Sequence, residues 1–194
     1  MGENRWRFEE SWPPPGARPV DFFLRSGGSA NTVWGDGELS VHEPKDERPD
    51  EYDYDPKDPV MSLMDAGAQA APRDQSPLSG RSDILVYATP PLSSPITVIG
   101  PVELKLWVAS TAPDTDFTAK LIDVHPSGLA VNLSYGILRA SYRDGYDDPK
   151  LMQPSTPYEL TIKLNPTGIR FGEGHRIRLD ISSSDFPNFD RNHN

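Results

Sequence analysis

Val102-Glu103-Leu104-Lys105-Leu106-Trp107-Val108 is the stretch whose reading decides the fold. Val102, Leu104, Leu106 and Val108 alternate with Glu103, Lys105 and Trp107. A period of two puts alternate side chains on opposite faces of a strand, whereas a helix would scatter them around its axis. The same rhythm recurs in four more segments. Phe117, Ala119 and Leu121 alternate with Thr118 and Lys120, and Val131, Leu133 and Tyr135 with Asn132 and Ser134. Tyr158, Leu160, Ile162 and Leu164 alternate with Glu159, Thr161 and Lys163, and Ile177, Leu179 and Ile181 with Arg176, Arg178 and Asp180. Ile84-Leu85-Val86-Tyr87 is a continuous apolar run, as expected of a strand covered on both faces. Turns such as Pro126-Ser127-Gly128 and Asp144-Gly145 separate these segments. The pattern predicts an all-β chain of antiparallel sheets, each with one buried face, packed as a β-sandwich.

Toward the N-terminus, Asp21 to Arg25 and Gly37 to His42 read as short strands, with a turn at Ser26-Gly27-Gly28. Residues 43–82 then form one long irregular loop. Its first part, to Pro59, is rich in Asp, Glu, Lys and Pro; residues 60–82 are small, polar and expected to be flexible. Calcium is conceivable for Asp53, Asp55 and Asp58, but the glycine and distal glutamate of a helix-loop-helix site are missing, and a solvated loop is the expectation. The division is thus a sandwich over 21–194 preceded by a connecting segment over 1–20. That segment holds Trp6, Phe8 and Trp12 among polar residues, and Pro13-Pro14-Pro15-Gly16 forbids a helix. It either packs on this domain or rests on another. In the second case Trp6 and Trp12 are the candidate interdomain contacts.

Composition narrows the function. Pro (21) and Gly (15) are too many for a helical bundle among 194 residues. A net charge of −10 opposes a phosphate backbone, so no nucleic-acid partner is expected. There is no cysteine, hence neither disulfide nor thiolate metal site. Apolar runs such as Leu104 to Ala109 are too short to cross a bilayer, and the first residues lack a signal peptide's apolar core. The expectation is a soluble chain without membrane contact, with a cytoplasmic location slightly favoured and oligomerisation left open.

No complete catalytic site is legible. The G-x-S-x-G elbow of a serine hydrolase is absent. His42, His125, His175 and His193 show no zinc-binding spacing, and His125 and His175 read as turn histidines. Gly172-Glu173-Gly174 reads as a tight turn rather than a phosphate loop. Asp114 and Asp116 invite an acid/base reading, but at a strand mouth they are expected to cap turns or pair with arginines. No metal and no cofactor are assigned.

Three segments carry a family resemblance. Arg81-Ser82-Asp83-Ile84-Leu85-Val86-Tyr87-Ala88-Thr89-Pro90-Pro91-Leu92 resembles an R-x-D-V-L-x-Y-x-T-x-P-L stretch, and Asp114 to Leu121 a D-T-D-F-T-A-K-L segment. His175 to Leu179, Ser182 to Pro187 and Asp190-Arg191-Asn192 are similar to H-R-I-x-L-x-x-S-S-S-x-F-P-x-x-D-R-N. These belong to the X-Pro dipeptidyl-peptidase and cocaine esterase family of serine hydrolases (CocE/NonD), and the opening Met1 to Arg7 resembles the stretch that leaves its α/β-hydrolase domain.

The resemblance implies a non-catalytic C-terminal jelly-roll β-sandwich, galactose-binding-like, that borrows its Ser-Asp-His triad from a preceding α/β-hydrolase domain of the same protein. It implies ester or amide hydrolysis by that parent, on ester or peptide substrates. The family continues past D-R-N-x-N with at least one further strand, so a sandwich lacking its last strand is expected here. It further implies that a loop matching Ser62 to Gln75 lines the parent's acyl pocket, with Leu63 and Met64 as candidate apolar contacts. The alternatives are ordinary packing for those two residues and, for the whole domain, a carbohydrate-binding jelly roll using Trp34 and Trp107. An independently active hydrolase is opposed by the missing triad.

Overall fold

The computed structural model describes residues 2–3, 5–63 and 72–194. Among the described residues, eight strands form two sheets: β1 (Phe23–Arg25), β2 (Glu38–Ser40), β3 (Leu85–Ala88), β4 (Ile96–Val108), β5 (Asp116–Val124), β6 (Ala130–Arg139), β7 (Tyr158–Phe171) and β8 (Arg176–Ser182). The larger sheet runs β1-β2-β3-β8-β5-β6, and β4 pairs with β7 in the smaller one. Among the named strands pairing is antiparallel except between β2 and β3, where Glu38 meets Ala88 in parallel; an isolated parallel bridge also joins Met61 to Phe186. No described helix is long and apolar enough to cross a membrane.

The core lies between the sheets. Leu104 and Leu106 of β4 and Leu160, Ile162 and Leu164 of β7 face Leu85, Phe117, Leu121, Leu179 and Ile181 of the larger sheet. Outward, Glu103 stands opposite Lys163, Lys105 opposite Thr161, and Trp107 opposite Glu159. Alternation therefore holds in β4 and β7, as read from the sequence. Both strands run further than that reading. β4 starts at Ile96 and passes a register shift between Gly100 and Val102; β7 continues through Pro166 to Phe171. Pro101 and Pro166 lack an N–H, and the irregularity lets the chain accommodate them without losing the ladder.

The sheets approach closely along β6 and β7. Ser134 donates from Oγ to the Asn165 carbonyl at 2.5 Å. A Cβ built on Gly136 would collide with the Lys163 carbonyl oxygen, so glycine sets the approach.

One expectation is corrected: the middle of the larger sheet is buried on both faces. β5 is buried from Asp116 to Asp123, and β8 from Ile177 to Ser182. Of the polar residues that read as solvent-facing in these two strands, Thr118, Lys120, Arg178 and Asp180 are buried, as is Ser182, while Arg176 stays exposed. What covers them is the segment expected to be flexible. Val60, Leu78, Ile84 and Val86 form a second apolar cluster, joined by Leu63, and Gln75 is buried beside them. A short 3-10 turn, Ser76–Leu78, lies within this cover.

Out of water, the polar face must satisfy itself. Arg178 grips Asp180 through Nε to Oδ1 at 2.6 Å and Nη2 to Oδ2 at 2.8 Å. Burial still pushes the Asp180 carboxyl above its usual range, against the pull of Arg178. Lys120 Nζ lies 2.7 Å from Asp185 Oδ1, an ion contact rather than an aligned hydrogen bond. Removing one partner of such a pair strands the other charge. Lys120→Ala is expected to lower unfolding free energy by about 3–5 kcal/mol in urea titration. Adding Asp185→Ala to it should restore part of the loss, because the unpaired carboxylate goes too.

Candidate functional site

The segments that carry the family resemblance prove to be parts of this packing. Arg81 donates from Nε and Nη2 to Asp83, both at 2.7 Å, and also binds Asp58. Asp114 accepts from the Ser141 backbone N–H at 2.9 Å and caps that turn, while Asp116 is forked by Arg139 at 2.7 and 3.0 Å. The Asp114/Asp116 pair thus caps a turn and pairs with an arginine, as expected. The three consecutive serines are spoken for: Ser182 contacts Thr118 at 2.7 Å, Ser183 meets the Tyr52 hydroxyl at 2.8 Å, and Ser184 accepts from the Val60 N–H at 2.8 Å. Arg191 donates to the Pro56 carbonyl, and Asn192 reaches both Asp114 and Asp116.

The acidic loop is likewise tied inward rather than solvated throughout. Asp50 accepts from Ser26 Oγ, the Ala30 N–H and the Tyr87 hydroxyl at 2.6, 2.8 and 2.7 Å. Glu47 accepts from Arg25 and from the Ser26 N–H. Asp53, Asp55, Asp58 and Asp83 line a small polar cavity, and Arg81 already supplies positive charge there.

Between the sheets, on the side away from β6, opens a cleft of about 1020 Å³ lined by Phe22, Leu24, Tyr52, Tyr87, Leu106 and Trp107 among others. The free edge of β4 forms one wall.

The proposed contact residues fall in different places. Trp6 (94% exposed) and Phe8 (102%) stand fully in solvent, and Trp12 is exposed. Their segment is nonetheless held down. Arg170 on β7 donates to Glu3 at 2.5 Å, Arg7 donates to Glu3 at 2.9 Å, and the Pro13 ring lies where Gly100 has no side chain. Both anchors sit at the end of the β4–β7 pair opposite Trp107, which is 73% exposed; Trp34 is exposed in the loop before β2. Leu63 is half-buried against the second apolar cluster, and Met64 lies outside the described residues.

Sequence reasoning missed one convergence. His175 Nδ1 lies 2.7 Å from Asp123 Oδ1, and His125 Nε2 lies 3.5 Å from Asp123 Oδ2. The two imidazole centres are 4.3 Å apart. Each histidine reads as a turn residue, because His125 precedes Pro126-Ser127-Gly128 and His175 follows Gly172-Glu173-Gly174, and the 50 residues between them conceal their meeting. The available signal was an Asp-x-His at a strand end, together with a histidine opening the strand that pairs with it.

The whole chain, residues 1–194, matches the family model described as the X-Pro dipeptidyl-peptidase C-terminal non-catalytic domain. It is similar to the cocaine esterase of Rhodococcus sp. (strain MB1 Bresler), 43% identical over 198 residues, covering 100% of this chain and 34% of that protein. Among solved structures, it is similar to an aminopeptidase from a marine sediment Thaumarchaeota archaeon (TM-score 0.86, 30% identity, 99% of this chain and 33% of the other). It is also similar to an α-amino acid ester hydrolase (TM-score 0.85, 29% identity, 98% and 34%). The chain spans about a third of the length of the curated relatives it matches.

Two phenols beside the cleft give the site a pH signature. Burial, opposed by the Ser183 hydrogen bond, pushes Tyr52 up to about 12 from its ordinary 10.0. Burial and the bond to Asp50 both raise Tyr87. The unfolded chain therefore loses these protons before the native one does, and stability falls as pH rises through 10 toward 12. Urea midpoints measured across that range should decline, and Tyr52→Phe should shallow the decline.

Proposed function

Because the chain belongs to the X-Pro dipeptidyl-peptidase C-terminal non-catalytic domain family, we propose that it serves a larger serine hydrolase as a rigid β wall. It packs on an α/β-hydrolase domain of the same protein and helps shape the pocket in which that domain cleaves an ester or amide. Residues 1–20 connect the two domains. The names of the relatives, an esterase, an aminopeptidase and an α-amino acid ester hydrolase, support this substrate class.

The observation that carries the reading is the strapped segment before β1. A free tail would have no reason to be fixed at Glu3 and Pro13 while showing Trp6, Phe8 and Trp12 to water. Covering one such ring is favourable by about 1.5–3 kcal/mol. A neighbouring domain laid across the strap would gain that, and the strap would fix its orientation.

The chemistry of the wall is consistent with this division of labour. Its polar clusters are consumed in holding its own outer face together, and a rigid neighbour can exclude water from a cleft it does not itself catalyse in. Leu63 is only half-buried against the second apolar cluster, and we assign its remaining surface to the neighbouring pocket on the strength of the family resemblance.

Trp6→Ala combined with Trp12→Ala is expected to leave the melting temperature of the 194-residue chain unchanged. In the full-length protein the same pair should speed proteolytic cleavage between the domains. Equal cleavage rates would count against the interface. Leu63→Ala in the full-length protein should change the ratio of kcat/KM between short and bulky acyl esters. A ratio that stays constant across the series would remove Leu63 from the pocket.

A further inference from the structure

Asp123 ends the row of β5 residues whose side chains alternate toward the core, after Phe117, Ala119 and Leu121. It is 5% exposed, a carboxylate at the rim of an apolar interior. His125 lies two residues on, so strand alternation brings it to the same face. The β5–β8 ladder pairs Val124 with Arg176, and one step further sets His125 beside His175. Three side chains from two strand ends thus converge.

The surroundings hold them there. The His175 ring fills the space where Gly172 has no Cβ; one built there would stand 2.8 Å from Nε2. Gly174 has φ +77°, a conformation other residues resist, and its N–H donates to the Leu92 carbonyl at 2.8 Å. The turn after His125 is closed by the Gly128 N–H on the His125 carbonyl and the His125 N–H on Leu129. Both histidines therefore stand on braced turns.

We propose that Asp123, His125 and His175 bind a divalent ion of the zinc class, through one carboxylate oxygen and two imidazole nitrogens, with water completing the shell. One ligand atom from each residue can be chosen so that all lie within 4.8 Å of one another. Tetrahedral zinc with bonds of about 2.0–2.2 Å separates its ligands by roughly 3.3 Å. His125 Nε2 lies 3.5 Å from Asp123 Oδ2, which already meets that. His175 Nδ1 lies 2.7 Å from the other oxygen, Oδ1; to admit the ion this contact must open by about half an ångström and the carboxylate must turn so that one oxygen faces both rings. Two imidazoles select against calcium and magnesium, which take oxygen shells. The ion would clamp the turn after β5 to the turn between β7 and β8. The competing state is an ion-free Asp123–His175 hydrogen bond with His125 stacked beside it. This inference is independent of the interdomain reading.

The test is calorimetric titration of the chelator-stripped full chain with zinc chloride. One site per chain is expected, in the micromolar range of dissociation constants. His125→Gln and His175→Gln should each weaken it about tenfold or more, and His42→Gln should leave it unchanged. Long-range proton–nitrogen spectra of the unmutated chain supply a readout that needs no variant. On adding zinc, the imidazole signals of His125 and His175 should move while those of His42 and His193 stay. Absence of saturable binding, equal affinity in His125→Gln, or shifts confined to His42 and His193 would each overturn the site.

Discussion

A charged face that has been taken out of water is the constraint from which the rest of this structure follows. Lys120, Arg178 and Asp180 project from the middle of the larger sheet, away from the apolar core, and all three are buried. An unpaired charge there would cost several kcal/mol. Each partner must therefore arrive from a defined place: Asp185 from the segment after β8, Gln75 from the cover, and Arg178 from the strand that carries Asp180. The cover cannot be an arbitrary loop. It is pinned at Val60 by Ser184, and the chain leading into it is held at Tyr52 by Ser183 and at Pro56 by Arg191.

This explains which features of the fold were legible. β4 and β7 have one wet face, so Glu103, Lys105, Glu159 and Lys163 reported their orientation truthfully. In β5 and β8 the same alternation was real, but its polar half faces a protein layer instead of solvent. Periodicity records which side chains share a face and says nothing about what lies beyond it. The extents of β4 and β7 were short for a related reason. Gly100, Pro101 and Pro166 are turn signals locally, and only the partner strand shows that they sit at an irregularity within a continuous ladder.

The candidate sites were legible in the same uneven way. Trp6 and Trp12 stood out because large aromatics in a polar segment need no partner strand to be noticed, and both are exposed. Asp123, His125 and His175 could not stand out, since their meeting depends on the β5–β8 register. Most residues that mark the family resolve into packing: Asp114, Asp116 and Asn192 form one polar knot with Arg139, and Arg81 with Asp83 another. A family signature of this kind identifies an architecture, which agrees with a domain described as non-catalytic.

The position of β8 bears on biosynthesis. β3 and β5 never touch as neighbours; β8 stands between them, pairing Leu85 with Ile181 on one side and Ala119 with Ile181 on the other. A nascent chain emerging from the ribosome has already released β3 and β5 before the strand that joins them is translated. Until then both expose hydrogen-bonding edges and apolar side chains, a state prone to aggregation. Assembly of the larger sheet is accordingly a late, all-at-once event rather than a progressive one, and nascent chains halted before Arg176 would depend on chaperones.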